Sequence, residues 1–162
     1  MEQESVERVA LFPGSFDPFT RGHAAIVESA LRLFDRVVVG VGYNISKSGL
    51  LSPDERCRLV AEYYADERRV EVQKYSGMTG DFAREVGAVA MVRGIRNSMD
   101  LEMERTLEAV NREIYPELQT VMLLTPADVA HISSSCVREL RAFGRGVESM
   151  MPEGVDIEEY ID

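Results

Sequence analysis

The chain has 162 residues, 45% apolar and 28% charged, an ordinary globular composition that excludes a disordered chain. The length suits one domain with its own core, expected over residues 1–162. A formal charge of −10 makes nucleic acid an unsuitable partner, because a polyanion needs a basic surface.

Other broad classes fall away as quickly. No apolar run approaches the roughly 18 residues of a membrane-spanning helix. The start, Met1-Glu2-Gln3-Glu4-Ser5, lacks the basic and apolar regions of a signal peptide, so a cytoplasmic location is expected. The two cysteines, Cys57 and Cys136, are far apart with no CxxC spacing. They are expected to be reduced thiols.

Apolar runs alternate with helical patterns along the chain. Arg8–Phe12 reads as a first strand. Ala24–Phe34 reads as a helix burying Ile26, Ala30, Leu33 and Phe34. Arg36–Val41 is continuously apolar, as a strand covered on both faces must be. Ser52-Pro53-Asp54-Glu55 opens the next helix: Ser52 caps, Pro53 suits the first helical position and Glu55 completes a capping box. Val70–Gln73 is a third strand, Thr79–Val86 a short helix and Ala88–Val92 a fourth strand. Met99–Tyr115 is the longest helix, with Met99, Met103, Leu107, Val110 and Ile114 in one stripe that is expected to pack on the core. Thr120–Leu124 is a fifth strand, a helix follows from Ser134 to Phe143, and Pro152 opens a short C-terminal segment. This alternation implies an α/β fold: a five-stranded parallel sheet with helices on both faces and right-handed crossovers. Ligands in such folds bind beyond the carboxyl ends of the strands.

One such end is distinctive. The first strand leads into Gly14-Ser15-Phe16-Asp17-Pro18-Phe19-Thr20-Arg21-Gly22-His23, and a helix follows. Glycines and prolines fix a tight loop there. The helix start supplies free N–H groups and a positive dipole end for an anion, and His23 stands where it can donate to a phosphate oxygen. Neither a Walker loop nor GxGxxG is present. Asp17, in an Asp-Pro pair, reads as a turn lock. Three further segments carry suitable groups. Arg93-Gly94-Ile95-Arg96, placed after the fourth strand, can clamp a phosphate. Ile132-Ser133-Ser134-Ser135 brings three hydroxyls to a helix start, where they can cap it or donate to phosphates. Lys47 is one of only two lysines and lies in the loop after the second strand.

The loop words G(T/S)FDP and (H/T)xGH resemble the nucleotidylyltransferase superfamily. With RG(L/I)R at Arg93–Arg96, ISSS at Ile132–Ser135 and a lysine at 47, the chain is similar to the phosphopantetheine adenylyltransferase family from Val9 to about Pro152. That resemblance implies a Rossmann-like nucleotidylyltransferase fold. It also implies transfer of an adenylyl group from ATP to 4′-phosphopantetheine in coenzyme A synthesis, with Mg²⁺ accompanying ATP, a homohexamer and feedback by coenzyme A. His23 would be the catalytic residue, contacting the ATP phosphates and stabilising the transition state. Ser15, with Phe16 beside the nucleotide, would belong to both subsites. Lys47 and Arg93 would bind the acceptor phosphate, and Thr79 would face the pantetheine arm. Gly94, Ile95, Arg96, Glu104 and the segment Val129, Ala130, His131, Ile132, Ser133, Ser134 and Ser135 would surround ATP. No residue set forms a dedicated metal cage. Met103 and Thr106 depart from the family pattern, which favours a tyrosine and a glutamine there. The phosphate loop alone leaves two other readings open: transfer to a different phosphate acceptor, and a nucleotide-sensing module without turnover.

Overall fold

The computed structural model describes residues 5–162; residues 1–4, on which the signal-peptide expectation mostly rests, lie outside them. Five strands form one parallel sheet in the order β3-β2-β1-β4-β5. They are β1 (Val9–Gly14), β2 (Arg36–Gly42), β3 (Val70–Tyr75), β4 (Ala90–Ile95) and β5 (Gln119–Leu124). The helices are α1 (Arg21–Leu31), α2 (Pro53–Tyr63), α3 (Thr79–Glu85), α4 (Ser98–Ile114) and α5 (Ser134–Ala142). Two short 3₁₀ turns, Glu148–Met150 and Ile157–Tyr160, close the described chain.

Side chains alternate across the strands, and each face builds its own core. Ala10, Phe12, Val37 and Val39 meet Ile26, Val27 and Ala30 of α1, Leu59 and Val60 of α2, and Val137 of α5. Val9, Leu11, Val38 and Met91 meet Phe82 and Ala83 of α3 and Tyr115 just past α4. The sheet winds one way from β1 to β3 and the other way from β4 to β5. The reversal between β1 and β4 is where a doubly wound sheet leaves a crevice. Their paired residues are Ala10↔Ala90 and Leu11↔Met91. Beyond these, Pro13 has no N–H to continue a ladder, and the strand ends are joined by a side chain: Arg93 Nη1 donates to the Pro13 carbonyl at 2.9 Å.

Several expectations shift. Helix α1 begins three residues earlier than expected, because Thr20 caps it. Its last turn closes at Leu31, which leaves Leu33 56% exposed while Phe34 stays buried. Ser52 Oγ does accept from the Glu55 N–H at 3.2 Å. The Glu55 carboxylate, however, turns to Arg58 instead of reaching back, so the capping box is half made. Strand β4 runs on to Ile95, so Arg93 and Gly94 lie inside the strand and not after it. The largest correction concerns α4, which has no buried residue. Its stripe faces outward: Met99 is 75% exposed and Met103 67%. The amphipathic period is real, but the sheet's second face is already covered by α3, Tyr115 and Leu118.

Candidate active site

The β1–α1 loop is built around an aromatic floor. Phe16 has φ +49°, a left-handed conformation that is costly for a bulky residue and persists where surroundings enforce it. Its ring is buried between Phe12 at 5.2 Å and Phe19 at 5.4 Å. Gly14 makes room for it: a Cβ there would lie 2.9 Å from the tip of the Phe16 ring. The glycine thus serves ring packing. Phe16 stands edge-on beneath His23, with centroids 5.0 Å apart.

His23 occupies the third position of α1 and completes a reciprocal cap with Thr20. The Thr20 backbone N–H donates to His23 Nδ1 at 2.9 Å, and Thr20 Oγ1 lies 3.1 Å from the same nitrogen. A backbone N–H can only donate, so Nδ1 must carry a lone pair. The proton of the neutral ring then sits on Nε2. Burial, followed by the charges of Arg96 and Arg93, pushes the imidazole pKa down from 6.5 to about 4. At neutral pH the site therefore holds an uncharged N–H donor.

The loop carbonyls are claimed from outside. Arg93 donates to Pro13 O, Arg56 Nη1 to Ser15 O at 3.3 Å, Arg138 Nη1 to Asp17 O at 2.7 Å and Ser134 Oγ to Pro18 O at 2.7 Å. Groups that would repel an anion are thereby satisfied by β4, α2 and α5. Asp17 is engaged as well. Its Oδ2 accepts from the Leu50 N–H at 2.9 Å and its Oδ1 from the Leu51 N–H at 2.7 Å, so the side chain tethers a loop far along the chain, where a lock on its own turn was expected.

Two clefts meet at this loop. One, of about 330 Å³, is lined by Ser15, His23, Arg93, Arg96, Ser133–Ser135 and Arg138. The other, of about 710 Å³, is lined by Ser15, Tyr43, Lys47, Arg56, Tyr75 and Arg138. Ser15 and Arg138 belong to both, so they mark the junction. The first cleft sets Arg93, Arg96 and Arg138 against Asp100 and Glu104. The second sets Lys47, Arg56 and Arg138 against Asp17. Cations outnumber carboxylates in both, although the chain as a whole is acidic.

The expected residues are distributed unevenly. Arg93 is paired with Glu104 by Nε and Nη2 at 2.8 and 2.7 Å, so Glu104 orients the guanidinium in a planar fork. Arg96 pairs with Asp100 in the same way. Burial raises the Asp100 pKa, but the Arg96 hydrogen bonds outweigh it and hold the carboxyl below its usual range. Gly94 lines the cleft and faces α1, where a Cβ would meet Ile26 Cγ1 at 2.9 Å. Ser133 caps α5 by accepting from Cys136 N–H at 3.1 Å, and Ser135 Oγ accepts from Arg138 at 3.1 Å. Ile132 and the three serines line the first cleft; Val129, Ala130, His131 and Ile95 do not. Val129 and Ile95 are buried and His131 is exposed. Thr79 lines neither cleft, and its hydroxyl is 2.9 Å from the Tyr75 hydroxyl. Lys47 makes no ion pair with the described residues, in contrast to Lys74, which pairs with Asp54 at 2.6 Å. Among the described residues no three His, Cys, Asp or Glu side chains gather as a metal cage.

Arg56, Arg138, Thr20 and Asp100 emerge only from the structure. Arg138 lies one turn after the ISSS segment, and that spacing on α5 could have signalled it. Arg56 lies in the first turn of α2 and looks in sequence like a solvated helix arginine.

A cationic double cleft at the switch point of a parallel sheet, with a neutral imidazole N–H in one of its two halves, fits a nucleotidyltransferase class of α/β protein. Residues 11–140 match the family model described as cytidylyltransferase-like. Solved structures agree at the level of the fold. A bifunctional NMN adenylyltransferase/ADP ribose pyrophosphatase from Francisella tularensis superposes with a TM-score of 0.69 at 15% identity. That match covers 90% of this chain and 45% of that one. Curated relatives are nearer. The phosphopantetheine adenylyltransferase of Porphyromonas gingivalis is 49% identical over 148 residues, 91% of this chain and 96% of the relative. That of Rubrobacter xylanophilus is 44% identical over 147 residues, 91% and 90% of the two chains. The chain belongs to the phosphopantetheine adenylyltransferase family.

Proposed function

We propose that the chain transfers the adenylyl group of ATP to 4′-phosphopantetheine, giving dephospho-coenzyme A and pyrophosphate. The nucleotide phosphates lie in the first cleft against His23, Arg96 and Arg138, and the acceptor phosphate reaches Ser15 from the Lys47 side. An acceptor phosphate oxygen attacks the α-phosphorus. One P–O bond forms, the α–β bridge breaks in line, and the electron pair leaves with pyrophosphate. The nucleophile is already an anion at neutral pH, so no general base is required, and catalysis rests on positioning and charge stabilisation.

The observation that carries this reading is the His23 tautomer. Nδ1 is held by Thr20, so Nε2–H is left to donate to the phosphate on which charge builds. Arg93, oriented by Glu104, keeps further N–H groups for the acceptor phosphate. Mg²⁺ would be held by the nucleotide phosphates and water, since Asp17, Asp100 and Glu104 are already engaged by backbone N–H or arginine groups. Bound there, it would neutralise phosphate charge.

The finer features follow as proposals. The outward stripe of α4, Met99, Met103, Leu107, Val110 and Ile114, supports a hexamer in which copies cover one another's stripe. Coenzyme A contains both the pantetheine arm and the adenylyl group, so it would occupy both clefts and oppose both substrates. The absence of a helix long and apolar enough to cross a membrane among the described residues is compatible with work in the cytoplasm. The deciding assay is pyrophosphate release from ATP with 4′-phosphopantetheine, run beside glycerol phosphate and nicotinamide mononucleotide. Turnover restricted to another acceptor would overturn the substrate; ATP binding without any turnover would overturn the reaction.

A further inference from the structure

The ladder between β1 and β2 ends at Gly14↔Val41. Past that point the nucleotide loop and the loop carrying Lys47 leave the sheet separately, and only side chains can set one against the other. Asp17 and Arg56 do so. Both are buried, 6% and 7% exposed, on opposite sides of the gap.

Asp17 reaches from the nucleotide loop to the end of the Lys47 loop, where it accepts from Leu50 N–H and Leu51 N–H. Arg56, on α2, grips both loops: Nε donates to Leu51 O at 2.9 Å and Nη1 to Ser15 O. Its Nε also lies 3.5 Å from Asp17 Oδ1. Gly49 closes over the pair. A Cβ there would stand 2.2 Å from Arg56 Nη2 and 2.4 Å from Asp17 Oδ2, so the loop can approach only because position 49 has no side chain. A buried ion pair is a poor source of stability compared with an apolar contact of the same volume. Its directional hydrogen bonds are what an apolar contact would lack.

We propose that Arg56 is a positioning residue for adenylyl transfer: with Asp17 it sets the separation between the Lys47 loop and the nucleotide loop, and hence between acceptor phosphate and α-phosphorus. This rests on the placement of the acceptor phosphate near Lys47. Arg56 acts through the two loops and not on a reacting atom. An in-line transfer needs its reacting atoms held roughly 3–3.5 Å apart, and a displacement of about 1 Å can cost ~10²-fold in rate.

The test uses the full chain with Arg56→Met and, separately, Gly49→Ala. The second leaves every charge in place and pushes against the pair from an exposed loop position. Steady-state kinetics with ATP and 4′-phosphopantetheine, equilibrium ATP binding and Tm are measured on each. The expected pattern is kcat reduced about 10- to 10²-fold, a raised KM for the acceptor and an unchanged Kd for ATP. Wild-type kcat and acceptor KM in a folded protein, whatever its Tm, would show the pair to be structural only. An equal loss of ATP affinity would confine it to propping the nucleotide loop and would also overturn the proposal. If Arg56→Met does not fold, Gly49→Ala decides by the same outcomes. Lys47→Ala separates the two layers: an unchanged acceptor KM there overturns the acceptor placement and the proposal with it, whereas a raised acceptor KM there beside wild-type kinetics in Gly49→Ala overturns the registry role alone.

Discussion

The two nitrogens of His23 have different surroundings, and the proposed chemistry uses the difference. Nδ1 accepts from Thr20, which leaves Nε2–H for a ligand. Replacing His23 with Asn should lower kcat by ~10²-fold, the usual scale for one transition-state donor, with ATP affinity much less affected. Wild-type kcat in that variant would remove His23 from the chemistry. With its pKa near 4, the ring of the free protein is neutral throughout the physiological range, so kcat/KM, which reports the free enzyme's groups, should show no inflection near 6.5 that His23→Asn abolishes. Stability carries the opposite signature. The unfolded ring regains its ordinary 6.5 and binds a proton that the folded ring refuses until about 4. The stability contribution is complete above 6.5 and lost as pH falls toward 4. Urea unfolding of the ligand-free chain across that window should slope downward in wild type and less so in His23→Gln, where the amide preserves the cap. At this scale the sequence shows the motif and its histidine. It does not show Thr20 as the tautomer's anchor, or Arg138 and Arg56 as holders of loop carbonyls, because those contacts join positions 41 or more residues apart or involve a backbone N–H.

Elements were legible in proportion to how local their determinants are. All five strands are visible as apolar-rich runs; β1 and β2, covered on both faces, are the plainest, while β3 at the sheet edge carries Glu71, Gln73 and Lys74 among its valines. Boundaries moved where tertiary contacts decided them. Helix α1 starts at Arg21 because Thr20 and a side chain three residues on complete its cap, and β4 extends through Arg93 because β5 pairs with it there. The caps themselves can be tested. Ser133→Ala removes the acceptor for Cys136 N–H and should reduce stability by ~1 kcal/mol in denaturant titration. Since Ser133 also lines the first cleft, ATP binding in the same variant measures whether the hydroxyl serves ligand as well as helix. A stability loss with unchanged ATP affinity would restrict it to capping.

For the whole molecule the stripe on α4 is the instructive case. A period of 3.6 says that a helix has an apolar side, and it is silent about what covers that side. The default of core packing fails here because α3, Tyr115 and Leu118 already occupy the second face. If copies of the chain cover the stripe, Leu107→Glu should dissociate the assembly, with sedimentation velocity reporting a smaller species and far-UV circular dichroism unchanged. A monomeric wild type at micromolar concentration would contradict the hexamer. Charge behaves similarly: the sequence shows an acidic total, and only the fold reveals that arginines converge on the two clefts.

The reciprocal cap at Thr20 and His23 also constrains what evolution could place there. Glutamate is the residue that ordinarily closes such a box. It would hold the helix start equally well while presenting a negative charge to the cleft. Glutamine would cap without charge but would offer an amide on a longer, freer stem. Histidine is the side chain that gives its lone pair to the fold and keeps its proton for an anion. A His23→Glu protein should therefore remain folded, with α1 intact, and turn away ATP, a separation of folding from function by a single carboxylate.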